Sequence, residues 1–233
     1  MRDILNRLAT YEPPADFRPV RIEYSLRTPL LMAFPWIFGD ALLARQLMLD
    51  ILGDEFYNLP AKEPLPVSKC LKLPLQKTGM VYHASASILD TDEMHTTVLY
   101  KRFHEAEDLK TKTRIRRNSG MMRDFMMKFP YSASRTVTFY MNGDLDELKR
   151  LLSSVGHLGK KHAVGGGEVS RSSISEIPED WSILKDGVAM RSIPCSMLKD
   201  FGDIRAMRLA YTFPGWDPAN VVMCVAPGGR CKI

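Results

Sequence analysis

The chain has 233 residues, 45% of them apolar and 25% charged, the size and balance of one globular domain with elaborations or of two small ones. No apolar run approaches the roughly eighteen residues that span a bilayer, and the N-terminal stretch carries acids and prolines where a signal peptide is apolar, so a soluble, cytoplasmic protein without membrane contact is expected. Cys70, Cys195, Cys224 and Cys231 are too scattered for a disulfide framework, and no C-x-x-C or H-x-x-x-H spacing offers a zinc site, so reduced thiols, no metal and no cofactor are expected.

Residues 20–28 alternate apolar and polar with Ile22, Tyr24 and Leu26 on one side, the period of a half-buried strand, which ends at Pro29. Asp40 is expected to cap a helix through Leu52, with Gly53 supplying the positive-φ residue after it and Leu43, Leu47 and Ile51 facing the core. A proline-rich connection over residues 60–74 leads to a second strand over 80–89, where Met80, Tyr82, Ala84, Ala86 and Ile88 alternate with Val81, His83, Ser85 and Ser87.

Residues 90–134 are irregular in pattern, with a strand expected over 95–103. Here the charge of the chain is concentrated. Lys110, Lys112, Arg114, Arg116, Arg117, Arg123 and Lys128 face the single acid Asp124, a local excess of +6 in a chain of net charge +5. A basic excess confined to one segment is the footprint of a polyanion contact; its bland counterpart is a solvated loop. Phe103, Phe125, Phe129 and Tyr131 are interleaved with these cations and offer faces on which unpaired bases stack, while Met121, Met122, Met126 and Met127 fit packing onto the sheet or a partner subunit.

Regular structure returns over 135–141, a strand with Val137, Phe139 and Met141 on one face. Asp144 with Glu147 three residues on is a capping-box-like pair opening a helix that carries Leu145, Leu148, Leu151, Leu152 and Val155 and stops at Gly156. A weaker strand is expected over 168–177. The order β-α-β, insertion, β-α-β gives an α+β fold of ferredoxin-like (RRM-like) βαββαβ arrangement over residues 1–177, including the insertion 90–134. Residues 178–233 carry Trp181, Trp216 and too many branched residues for disorder, and are expected to form an elaboration packed on that core.

Between the second helix and the last strand lies GKKHAVGGGEV, residues 159–169. Gly165, Gly166 and Gly167 permit positive φ and close approach of backbone N–H groups to an anion, while Lys160, Lys161 and His162 supply charge for phosphates. Neither a G-x-x-x-x-G-K-[ST] phosphate loop nor a G-x-G-x-x-G dinucleotide fingerprint is present, and a tight structural turn is the competing explanation.

A helix followed by G-K-K-x-x-x-G-x-G-E-V and the last strand resembles the glycine-rich loop of RAMP-superfamily proteins. The likeness extends in order through DALLA at 40–44, Ser85-Ala86-Ser87, the block at 137–169, DWSI at 180–183, Arg191-Ser192-Ile193-Pro194 and PGWDPANVVMCVAP at 214–227. The chain is similar to the Cas-five-like subunit of type IV CRISPR effector complexes. That resemblance implies a non-catalytic RNA-binding subunit that caps the 5′ tag of the guide RNA, with the glycine loop facing the RNA backbone and the insertion forming a thumb across it. It also implies a Cas-seven-like backbone subunit and a large subunit as partners, and leaves open a share in recognising the DNA motif beside the target. Relatives that cleave repeat RNA without metal supply the alternative, an endoribonuclease using His83, His157 or His162. Such relatives carry the glycine loop close to their C-terminus, whereas here some sixty residues follow it.

Overall fold

The computed structural model describes residues 2–59, 65–102, 118, 123–199 and 206–233. In chain order the elements are α1 (Arg2–Ala9), β1 (Phe17–Leu26), β2 (Leu30–Leu31), α2 (Gly39–Leu52), α3 (Val67–Cys70), β3 (Lys77–Thr78), β4 (Val81–Tyr82), β5 (Ile88–Leu89), β6 (Met94–Lys101) and β7 (Phe125–Ser132). They continue with β8 (Thr136–Asp144), α4 (Leu145–Leu152), β9 (Val169–Glu176), β10 (Leu184–Lys185), β11 (Val188–Ala189), β12 (Ile193–Pro194), β13 (Ala206–Ala210) and β14 (Val221–Val225). The chain is thus a mixed α+β structure built on antiparallel sheets.

The main sheet has the order β5-β8-β1-β9, with α2 between β1 and β5 and α4 between β8 and β9. Alternation makes one of its faces. Val20, Ile22 and Tyr24 stand directly opposite Met141, Phe139 and Val137, and all six are buried. Leu43 and Leu47 of α2 and Leu148, Leu151 and Leu152 of α4 join them in one apolar cluster, and the Tyr24 hydroxyl donates to the Leu152 carbonyl at 3.0 Å. As its spacing predicts, Asp144 caps α4 by accepting from the Glu147 N–H at 2.9 Å, although the helix stops at Leu152, four residues before Gly156. The Glu147 carboxylate turns to the Tyr11 hydroxyl and to Arg150 instead of reaching back. Helix α1, with Leu8 buried, has no counterpart in the sequence reading. Among the described residues, no helix is long and apolar enough to cross a membrane.

Two expected features take a different form. Residues 80–89 do not make one strand: only β4 and β5 are ladders, joined by single bridges from Ala84 to Met141 and from Ala86 to Phe38. The interruption is made by buried serines. Ser85 Oγ accepts from the Tyr140 N–H at 2.9 Å and Ser87 Oγ from the Ile37 N–H at 3.0 Å, so side chains take backbone donors that a regular ladder would use. The interval 90–134, irregular by pattern, contains the hairpin of β6 and β7, which β2 extends to a three-stranded sheet of order β2-β7-β6.

Asp40 Oδ1 accepts from a first-turn donor of α2, the Ala41 N–H, at 3.0 Å, but Asp40 does not stand at the N-cap position. Phe38 is the N-cap residue and contributes no side-chain bond, while Asp40 is buried and accepts from Arg191 Nη2 at 3.1 Å. The guanidinium of Arg191 also donates to the carbonyls of Tyr82, Ala84, Tyr211 and Ser192. One fully buried cation therefore ties the start of α2, the interrupted segment after β4 and the C-terminal residues together. Around it, the sheet of order β12-β14-β13 packs through Ile193 and Val225 on Val81 and Ala189. Residues 191, 192 and 211 are in this way fastened to the start of α2 and to the segment after β4.

Removing one partner of a buried ion pair leaves a buried charge unpaired, which costs about 3–5 kcal/mol. Arg191→Ala and Asp40→Ala should each lower the unfolding free energy by about that much in urea denaturation. The double variant Asp40→Leu with Arg191→Met should not recover wild-type stability, because the carbonyls of Ala84 and Tyr211 stay orphaned at about 1–3 kcal/mol each.

Candidate nucleic-acid interface

The loop after α4 is closed at its base by the Val169 N–H donating to the Gly156 carbonyl at 2.9 Å and the Leu158 N–H to Gly167 at 2.8 Å. Within it Gly159, Lys161, Gly165 and Gly167 all take positive φ. The loop is seated on β2: the Lys160 N–H donates to the Leu31 carbonyl at 2.8 Å, and Gly167 to Pro29 at 2.9 Å. This close approach is why glycines stand there. A Cβ on Gly159 would lie 2.4 Å from the Leu31 carbonyl oxygen, and one on Gly167 2.0 Å from that of Leu158.

The expected backbone clamp is corrected by these bonds. The N–H groups of Gly165, Gly166 and Gly167 are already given to the carbonyls of His162, Lys161 and Pro29, so they are not offered to an external anion. His162 also differs from expectation. Its Nε2 is hydrogen-bonded to the Gly159 carbonyl at 3.1 Å and its ring stacks on His157. Burial lowers its pKa below the usual histidine value despite that bond, so the ring is neutral at neutral pH and does not supply the expected charge. What the loop presents outward is Lys160, exposed, and Lys161, half-buried.

Lys161 makes the contact that organises the surface. Its ammonium lies 5.9 Å from the ring centre of Phe125 and 5.8 Å from that of Phe129, within the range of a cation held over an aromatic face. Phe125, Met127, Phe129 and Tyr131 share one face of the hairpin, opposite Lys101, Leu99, Thr97 and His95, and the rings of His95 and Tyr131 are 5.4 Å apart. Tyr131 is also paired with Leu31, the residue under the loop. The glycine loop and the aromatic part of the insertion, read separately in the sequence, thus form one surface. Arg123 and Lys128 are exposed at its margin, Lys128 on the opposite hairpin face. Lys110, Lys112, Arg114, Arg116 and Arg117, together with Phe103, Met121 and Met122, lie outside the described residues.

A second aromatic group was not singled out in the sequence. Phe34, Trp36, Tyr140 and Lys185 line an open groove of about 820 Å3 between the hairpin and the C-terminal residues. Lys185 Nζ sits 3.9 Å from the Trp181 ring centre. The run AFPWIF at 33–38 was the available signal, but only the fold brings Lys185 to it.

The histidines proposed for acid-base work are otherwise engaged. His83 Nδ1 lies 2.8 Å from Asp180 Oδ2 and Nε2 2.8 Å from Thr78 Oγ1, so both ring nitrogens are occupied. Burial opposes ionisation of Asp180, but hydrogen bonds from His83, Ser182 and Asn142 outweigh it and hold the carboxyl well below the usual range. Among the described residues no three metal-ligating side chains cluster.

A Cβ on Gly166 would stand 2.8 Å from the Lys160 carbonyl oxygen and 2.9 Å from Leu31 Cδ1. Gly166→Val should therefore unseat the loop from β2 and cost about 1–3 kcal/mol, read as a lowered urea midpoint. Gly165→Ala meets open space and should lose only the strain of its positive φ.

Residues 75–227, about two thirds of the chain, match the family model described as CRISPR type IV associated protein Csf3. No curated protein matches the chain. Among solved structures, a chain of the cryo-EM structure of the Type III-B Cmr-beta complex bound to cognate target RNA is similar, at 12% identity and a TM-score of 0.38. The similarity covers 69% of the present chain, which spans 61% of that one. The match over residues 75–227 takes in the hairpin, the capped helix, the glycine loop and the Arg191 anchor, and the chain belongs to the family of the CRISPR type IV associated protein Csf3.

Proposed function

We propose that the chain is a non-catalytic RNA-binding subunit of a type IV effector complex, holding the 5′ tag of the guide RNA across the glycine loop and the β6–β7 hairpin. The observation that carries this is Lys161 over Phe125 and Phe129, because it joins a cationic loop to an aromatic strand. Single-strand binders pair such a cationic track with rings on which bases stack. The order β5-β8-β1-β9 with two intervening helices supports a ferredoxin-like βαββαβ core, in which the hairpin occupies the place of a thumb between the second and third strands. Membership of a type IV CRISPR-associated family supports this reading, which takes a Cas-seven-like backbone subunit and a large subunit as the partners and leaves a share in recognising the target-adjacent DNA motif open.

The rival reading is metal-independent cleavage of repeat RNA. His83 with Asp180, 2.8 Å apart, is a dyad that favours it. Against it, His83 Nε2, the nitrogen left to move a proton, is bonded to Thr78 Oγ1. Purified chain incubated with labelled repeat RNA in EDTA should bind and release it intact; cleavage abolished by His83→Ala establishes the endoribonuclease instead.

The two kinds of contact separate by salt dependence. Each phosphate neutralised on a single strand adds about −0.7 to the slope of log affinity against log salt. Lys160→Ala, and the triple change of Arg114, Arg116 and Arg117 to alanine, should lower affinity for the 5′ tag and flatten the slope. Phe125→Ala should lower affinity by about 1–3 kcal/mol for a stacked base and leave the slope unchanged. Wild-type affinity in all three would remove this surface from the RNA path.

A further inference from the structure

The outer edge of the hairpin carries a second kind of information. In its sheet β6 is the terminal strand, and among the described residues no backbone group of residues 94–100 is bonded outside the ladder with β7. Edges are normally protected by prolines, bulges or charges. This one has an uninterrupted register, no proline, and Thr96, Thr97, Val98 and Tyr100, all good strand formers, at its centre. Met94 and Tyr100 are among the exposed large apolar side chains, at 47% and 64%.

Charge is arranged about that edge in a self-complementary way. Asp92 and Glu93 precede the strand, Lys101 ends it and Arg102 follows it. If two copies of β6 run antiparallel with the two-fold axis at Thr97, Asp92 stands opposite Arg102 of the second copy, Glu93 opposite Lys101, and Met94 opposite Tyr100, each twice. Directly opposed unlike charges and apolar pairs stabilise a ladder, whereas like charges oppose it. A parallel pairing in register would set Asp92 on Asp92 and Arg102 on Arg102. The antiparallel arrangement sets unlike charges opposite one another instead.

We propose that the β6 edge is a homotypic interface through which two free copies of this chain pair antiparallel, joining their three-stranded sheets into one of six strands. With one strand on each side the buried area falls below about 1,200 Å2, so the dimer is weak and depends on concentration. The proposal does not depend on RNA binding and is tested without RNA.

Sedimentation over a concentration series should show reversible dimerisation of the wild type. Asp92→Arg and Arg102→Asp each turn two attractive pairs repulsive, and each variant alone should dimerise on the order of tenfold more weakly or worse. An equimolar mixture of the two variants should associate again, since both charge pairs are then attractive, one as in the wild type and one with its signs exchanged: the two cations of one variant, at positions 92 and 102, meet the two carboxylates of the other. All substituted positions are exposed, and circular dichroism confirms that folding is retained. A wild type that stays monomeric throughout, single variants that dimerise as tightly as wild type, or a mixture that fails to associate each overturns the proposal.

Discussion

A single buried cation fastens the C-terminal residues to the start of α2 and to the segment after β4. Arg191 has no exposed surface, and its guanidinium is shared among Asp40 and the carbonyls of Tyr82, Ala84, Tyr211 and Ser192. A charge removed from water is tolerated only when its donors are met in this way. Two of these carbonyls, those of Tyr82 and Ala84, belong to a segment that does not form one regular ladder, since the serines at 85 and 87 have taken neighbouring backbone donors. Arg191 thus replaces missing sheet bonds with side-chain bonds. In doing so it anchors the C-terminal residues at the start of α2.

The interface is assembled through backbone contacts at β2. Leu30 and Leu31 form β2 just after β1, and β2 is the meeting point of two otherwise separate pieces: it pairs with β7 on one side and receives the loop N–H group of Lys160 on the other. The loop is shaped by its own bonds, with the glycines chosen for clearance against Leu31, Leu158 and Lys160. The N–H groups of Gly165, Gly166 and Gly167 are consumed in that shaping. Recognition is left to side chains, and the chemistry the surface offers is a lysine over two phenylalanine rings with exposed cations around it.

Much of the frame was legible because it is local. Strict alternation identified β1 and β8, and Asp144 with Glu147 located the start of α4, since period and cap are written in adjacent residues. Asp40 was legible in part: its place before an apolar run goes with the bond it accepts from the first-turn Ala41 N–H, while its ionic partner Arg191 lies 151 positions away. The strand at 80–89 was read whole because alternation registers where side chains point and is blind to a serine hydroxyl that diverts a neighbour's backbone bond. At the candidate site, the residue types of the loop were correctly noted as glycine and cation, but which N–H groups remain free is a property of the folded turn. The meeting of Lys161 with Phe125 and Phe129 has no signature in spacing, and neither does the neutral state of His162, which follows from burial against His157.

The central claim is that one continuous surface, made of the loop and the inner face of the hairpin, receives the RNA. Ultraviolet crosslinking of the chain to 5′-tag RNA, with the attached residues located by mass spectrometry, tests it most directly. The account predicts crosslinks at Phe125 and Tyr131 on the hairpin and at Lys160 or Lys161 on the loop within the same complex. Crosslinks confined to β13, β14 and the residues between them, with loop and hairpin untouched, would contradict it.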